Sequence, residues 1–162
     1  DGQYHAVDSS DIAFQAAALG ALEDLQVKEQ SELLLANLGN MHTLAFIMSQ
    51  GQVLAFMEHH TGFLTTAKLD DYLGRLIRGS LGHEEIFNNS GHGVLYVDKV
   101  GLPKNPFVSV TGPKRRIMRG TRLEPYFAAP FGSMMIAGCF GLARAFAHRF
   151  PQWREEIEKA LS

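Results

Sequence analysis

Cysteine is nearly absent from this sequence, which has one, Cys139, in 162 residues. A lone cysteine cannot close an internal disulfide, and neither a Cys-rich metal motif nor a signal-peptide pattern accompanies it, so a cytoplasmic location is expected. It also excludes an iron–sulfur cluster held by three cysteines of these residues. An excess of positive charge is missing as well. Fifteen Lys and Arg against seventeen Asp and Glu leave a formal net charge of -2, so no broad positive field exists for nucleic acid or an anionic membrane surface. Asn, Gly, His and Gln interrupt every apolar run well short of the roughly 18 residues that a membrane span needs. There is no P-loop and no internal repeat. No initiator methionine stands at the start, where a polar stretch opens on Asp1, as expected of a processed chain or a fragment. What remains, 46% hydrophobic and 20% charged residues, is the composition of one globular domain.

Within a leading segment, residues 1–29, Ser9, Ser10 and Asp11 are candidate N-caps for an Ala-rich helix that runs to Val27 and is apolar on two sides. The core, residues 30–150, begins with three short apolar runs, Glu32 to Leu38, Thr43 to Ser49 and Val53 to Met57, which read as strands. Gly39-Asn40-Met41 and Ser49-Gln50-Gly51-Gln52 supply the turns between them. Thr65 or Thr66 caps a helix in which Leu69, Tyr72, Leu73, Leu76 and Ile77 recur at helical spacing, and Gly79 ends it. Short segments at Glu84 to Asn88 and Val94 to Val97 read as a helix and a strand. Phe107 to Val110 is a strand, and Pro113 suits the first position of a following helix. A strand at Phe127 to Ala129, an apolar helix from Met134 to about Phe150 and a terminal amphipathic helix, residues 151–162, complete the chain. Trp153, Ile157 and Leu161 are the expected buried face of that last helix. Hairpins first and crossovers afterwards imply an α/β fold, with a mixed five-stranded sheet and helices on its faces.

Such a β-β-β-α-β-α-β-α order resembles one lobe of the actin, sugar-kinase and heat-shock-ATPase superfold, which is ribonuclease H-like. Leu35-Ala36-Asn37-Leu38-Gly39-Asn40 resembles the second phosphate motif of that superfold, and Val108-Ser109-Val110-Thr111-Gly112-Pro113 resembles its adenosine motif. The resemblance implies a nucleotide with Mg²⁺ as cofactor. It also implies a ligand site that includes Asn37, Gly39, Asn40 and Gly112. Two departures stand out: the acidic residue of the phosphate motif is Asn37 here, and Pro113 followed by Lys114 replaces a glycine and a small residue. Loss of that carboxylate weakens Mg²⁺ and water positioning. Locally, Asn37 to Thr43, Glu58-His59-His60-Thr61-Gly62 and Gly91-His92-Gly93 resemble an uncharacterised family labelled pyruvate formate-lyase activating enzyme, over roughly residues 30 to 147. The label implies radical-SAM chemistry, which one cysteine cannot support. If the family has two lobes, residues 1–162 are a single domain forming the C-terminal one, and its partner is the missing N-terminal lobe of the same protein.

The remaining candidates come from the residues themselves. If Gln50 and Gly51 form a two-residue loop, outward counting places His42 opposite His59, near Asn37, with His60 on the other face. Such a pair can hold a divalent metal, with Glu58, His83 or His92 as further ligands, can contact an oxyanion, or can be structural, hydrogen-bonded to the hairpin backbone. Lys114, Arg115, Arg116, Arg119 and Arg122 crowd the start of the helix expected after Pro113, where cations oppose the helix dipole and an anion relieves them, unless the run is a solvated face or a salt-bridged contact with another lobe. Gly132-Ser133 offers N–H groups between a strand and a helix. The candidate ligand residues are thus Asn37, Gly39, Asn40, His42, Thr43, His59, Gly112, Lys114, Arg115 and Gly132, with His42, His59 and Glu58 as candidate metal ligands. No catalytic residue is assigned, and whether the chain is an enzyme stays open. Three functions are compatible: a lobe binding a phosphorylated or carboxylated small molecule, a metal-dependent hydrolase using His42 and His59 with Glu58 as base, and a regulatory domain without chemistry.

Overall fold

A computed structural model describes residues 16–161, so the proposed caps Ser9, Ser10 and Asp11 lie outside the described residues. The leading helix is interrupted. Residues 16–19 are helical and Gly20–Glu23 tighten into a 3₁₀ turn. Asp24 then turns extended (ψ 131), and its carboxylate accepts from Gln26 N to cap a separate one-turn helix, α1 (Leu25–Lys28). A short acidic side chain competes with its own backbone in this way wherever a cap is available.

β1 (Glu32–Leu38), β2 (His42–Ser49) and β3 (Gln52–His60) are consecutive antiparallel strands. Gln50 (φ 50) and Gly51 (φ 77) take the left-handed conformations that a two-residue hairpin demands. α2 (Thr66–Ile77) is capped by Thr65, whose hydroxyl accepts from Lys68 N at 3.2 Å, and Gly79 (φ 69) follows its end. α3 (His83–Asn88) leads to β4 (Gly91–Tyr96), and β5 (Phe107–Thr111) and β6 (Tyr126–Phe127) come later. The strands form one mixed sheet in the order β4-β3-β2-β1-β5-β6, in which β5 lies parallel to β1 and β6 parallel to β5. The sheet therefore has six strands where five are expected. The sixth is β4, expected as a short strand at Val94 to Val97 but not counted in the sheet, which adds to the outer edge of β3 antiparallel to it.

Two apolar layers hold the sheet. On one face Leu34, Ala36, Ile47, Met57 and Val110 pack against Leu69, Leu73 and Leu76 of α2 and Ile86 of α3. On the other face Leu33, Leu35, Leu44 and Phe46 meet Ala18, Ala21 and Val27 of the leading segment. Behind that segment runs α4 (Ala137–Arg149), followed by α5 (Arg154–Ala160). A Cβ on Gly20 would stand 1.7 Å from the Ala137 carbonyl oxygen, and one on Gly141 would stand 1.9 Å from that of Ala16. These glycines set a close crossing of two helical segments. Cys139 is exposed on α4. On the terminal helix Trp153 is exposed, and Ile157 and Leu161 are only half-buried.

The expected helix after Pro113 is a 3₁₀ stretch, Arg115–Gly120. Three consecutive cations at a helix start oppose the dipole and leave little reason for a longer helix. Its far end is tied to α2. Arg122 donates from its backbone N to Asp70 Oδ1 at 2.8 Å and from Nε to Asp70 Oδ2 at 2.6 Å. Partial burial pushes the Asp70 carboxyl upward, but the hydrogen bonds and charge of Arg122 outweigh it and hold it below the usual carboxylate range. A depressed folded-state pKa stabilises above the unfolded value and is lost as pH falls through the folded one. Because Arg122 is largely exposed, Asp70→Asn should cost only about 0.5–1 kcal/mol at pH 7. That difference should shrink progressively as pH falls below the ordinary carboxylate range and through the depressed folded-state value, as read from paired thermal melts, and a pH-independent difference would reject the linkage.

Candidate functional site

β1 ends at Leu38 and β5 at Thr111, and the parallel register brings Asn37 beside Thr111. The chain turns away at Gly39–Met41 and again at Gly112–Pro113. Between these turns and residues 134–138 lies a cleft of about 400 Å³, lined among others by Ala17, Asn37, Asn40, Gly112, Met134 and Met135. Asn37 is buried on its floor, where its Nδ2 donates to Thr111 Oγ1 at 3.0 Å, and Thr111 donates onward to the Ala17 carbonyl at 3.3 Å. Gly112 has φ 96, and a Cβ there would stand 2.3 Å from the Leu38 carbonyl oxygen. Only glycine lets the two strand ends close on one another. The Gly112 N–H points to Met134 Sδ at 3.1 Å, and a thioether is a weak acceptor.

The structure thus gathers Asn37, Gly39, Asn40 and Gly112 at one cleft. Lys114 and Arg115 follow directly. Lys114 N donates to the Leu38 carbonyl at 2.9 Å, and the Arg115 guanidinium donates to the Gly112 carbonyl at 3.0 Å. The rest of the basic run is dispersed, with Arg119 over the Phe127 ring and Arg122 on Asp70. Gly132 lies elsewhere, and its N–H and that of Ser133 donate to Ala129 and Pro130 carbonyls within their own turn. Thr43 is buried on the opposite sheet face, with its hydroxyl 2.9 Å from that of Thr61.

The histidine register differs from the expected one. Ser49 pairs with Gln52 as anticipated, but Ile47 pairs with Ala55 and Met48 with Val53, so Leu54 is an extra residue on β3. This bulge shifts every later pair by one and sets His42 opposite His60, while Thr43 faces His59. His59 is fully buried on the α2 face, 5.9 Å from Tyr72 between ring centroids, and its Nδ1 donates to the His60 carbonyl at 3.0 Å. Burial holds its imidazole below the ordinary histidine pKa. His42 and His59 therefore cannot share an ion. His42, His60 and His92 do converge, with ring centroids 4.6, 4.8 and 5.1 Å apart. Glu58 lies on the same face as His60, opposite Leu44 and Gly93. His83 Nδ1 accepts from Val94 N at 3.3 Å and is not part of the cluster.

A larger groove of about 680 Å³ opens at the other sheet end, beside Gln30, Ser31 and Gly51. The charged pair on it, Glu23 and Arg144, is already joined by two hydrogen bonds, one of them 2.8 Å.

A family model described as "Putative pyruvate format-lyase activating enzyme (DUF1786)" matches residues 5–117. Among curated proteins, elongation factor G 1 of Borreliella burgdorferi and that of Borreliella afzelii are each 59% identical to the chain over 34 residues. Those residues are 21% of this chain and 5% of the factor, so the chain spans about a twentieth of the length of these relatives. No solved structure matches the chain. An iron–sulfur cluster, which the family label implies, does not fit these residues, since the single cysteine sits exposed on α4 and three thiolates are needed.

Proposed function

The chain belongs to the family described as a pyruvate formate-lyase activating enzyme, and we propose that within it these residues form a ligand-binding lobe rather than a radical-generating centre. The ligand is a phosphorylated or carboxylated small molecule, a nucleotide included, seated in the cleft of Asn37, Gly39, Asn40 and Gly112. The observation that carries this reading is the Gly112 N–H, which ends on a thioether sulfur at 3.1 Å at the mouth of the cleft. An oxyanion is a far better acceptor and displaces the sulfur at little cost. Lys114 and Arg115, just beyond, supply positive charge. Three antiparallel strands followed by parallel crossovers support placing the lobe in the actin, sugar-kinase and heat-shock-ATPase superfold, with a second lobe of the same protein closing over the ligand. With Asn37 in place of an acid, binding rather than hydrolysis is the expected role.

Calorimetric titration with Mg²⁺–ATP, a sugar phosphate and inorganic phosphate tests this. At least one should bind, and Met135→Glu should weaken it by about tenfold or more, because the new carboxylate repels the anion across the cleft. Met135 is 78% exposed, so its replacement should leave the melting temperature unchanged. Equal binding in both proteins, or none of the three by the wild type, refutes the assignment.

A further inference from the structure

Three neighbouring strands each present one imidazole on the same face at one end of the sheet. His42 opens β2, His60 closes β3 in direct register with it, and His92 comes from β4 on the other side of β3. One nitrogen from each ring lies within 4.8 Å of the others. We propose that His42, His60 and His92 form a binding site for a divalent cation of the zinc class, with the fourth coordination position open to solvent.

The geometry is close to what such an ion requires. Zn–N bonds of about 2.0–2.1 Å in a tetrahedron place ligand nitrogens about 3.3 Å apart. Reaching that spacing asks the nitrogens to close by up to about 1.5 Å per pair. Imidazole is the ligand that borderline ions such as Zn²⁺, Co²⁺ and Ni²⁺ favour, whereas Mg²⁺ and Ca²⁺ want oxygen. His42 and His60 are half-buried and His92 is exposed. That gradient leaves one side of the ion to water, as in three-histidine sites with an exchangeable position.

The backbone around His92 is shaped for the approach. A Cβ on Gly91 would stand 2.5 Å from Ile86 Cγ2, and one on Gly93 would stand 2.3 Å from the His83 ring. Gly93 also has φ 123, which side-chain-bearing residues rarely adopt. A strand edge flanked by two glycines is weak by propensity, yet here it delivers a histidine to within 5.1 Å of two others. The β3–β4 pairing also shifts between Glu58 and His59, at the level where His92 enters. Irregularities of this kind re-aim a side chain. Glu58 puts a carboxylate on the same face, two residues before His60, where its negative charge offsets that of a dication.

The test is competition of the untagged chain with a chromophoric chelator for Zn²⁺, supported by Co²⁺ binding. One equivalent per chain is expected, and bound Co²⁺ should show the strong visible absorption of tetrahedral coordination. His60→Ala and His92→Ala should each weaken Zn²⁺ binding by at least about 100-fold, beyond the 10–100-fold typical of changes one shell further out. His148→Ala on α4 should leave it unchanged. If His60→Ala does not fold by circular dichroism, the exposed His92→Ala decides alone. Failure of the wild type to bind Zn²⁺, or a loss below tenfold in the folded variants, overturns the site. Neither result bears on anion binding in the cleft.

Discussion

Gly112→Ala is expected to destabilise the chain by about 2–4 kcal/mol and to weaken ligand binding in the proposed cleft, whereas Gly132→Ala should cost about 1 kcal/mol. Both glycines have positive φ, 96 and 78, so both substitutions impose a similar backbone penalty. They differ in what the added methyl meets. Around Gly132 nothing lies within 4 Å, while at Gly112 the methyl would fall 2.3, 2.6 and 2.8 Å from O, C and N of Leu38. These are backbone atoms of a central strand, held by β2 on one side and β5 on the other, and they cannot rotate aside. Relief must come from parting the ends of β1 and β5, which breaks the Lys114 N to Leu38 carbonyl bond and the Asn37–Thr111 contact. Overpacking against a rigid neighbour adds about 1–3 kcal/mol to the conformational term. Urea unfolding of the two variants side by side measures the difference. Equal losses would mean that only the backbone angle matters and that the approach of the strand ends is not tight.

The elements that were legible in the sequence are those whose cause is local. α2 carries its own cap, its own stripe of Leu69, Tyr72, Leu73 and Leu76, and its own stop at Gly79. The Gln50-Gly51 turn announces itself through residues that tolerate positive φ. The Leu54 bulge has no such signature, because its cause lies elsewhere in the chain. The Leu54 carbonyl accepts from Val97 N at 2.7 Å and Asp98 N at 3.1 Å, just past the end of β4. A count along one hairpin cannot register a partner more than forty positions away, so His42 is assigned to His59 in place of His60. The cleft is divided in the same way. Asn37, Gly39, Asn40 and Gly112 stand in motifs that a reader can find, but Ala17, Met134 and Met135 reach the cleft only because Gly20 and Gly141 let two helical segments cross. The basic run after Pro113 is visible as charge, yet most of its members are engaged one by one with Gly112, Phe127 and Asp70.

Asn37→Asp should destabilise the protein by about 2–4 kcal/mol at pH 7 and by about 1 kcal/mol or less near pH 4.5. Asn37 is buried, and its amide donates to Thr111 Oγ1, whose own proton goes to the Ala17 carbonyl. An ionised carboxylate offers no proton to Thr111 and would pull the Thr111 hydroxyl away from Ala17. Burial without compensating donors raises its pKa. The alternative is to stay protonated, in which case the acid donates to Thr111 much as the amide does. Keeping a carboxyl of ordinary pKa near 3.9 protonated at pH 7 costs about 4 kcal/mol, which sets the ceiling on the loss. The sign follows from proton counting. The folded variant holds a proton that the unfolded chain releases above its pKa, so stability falls as pH rises from about 4 and levels off beyond the raised folded value. Denaturant titrations of both proteins at pH 4.5, 6 and 7.5 read this directly, and a pH-independent deficit would show that the position is solvated rather than sealed. Mg²⁺ in excess supplies the final discrimination. If the cleft holds a metal–phosphate ligand, Mg²⁺–ATP should restore more stability to Asn37→Asp than to the wild type, because the carboxylate then gains the cation that asparagine holds only weakly.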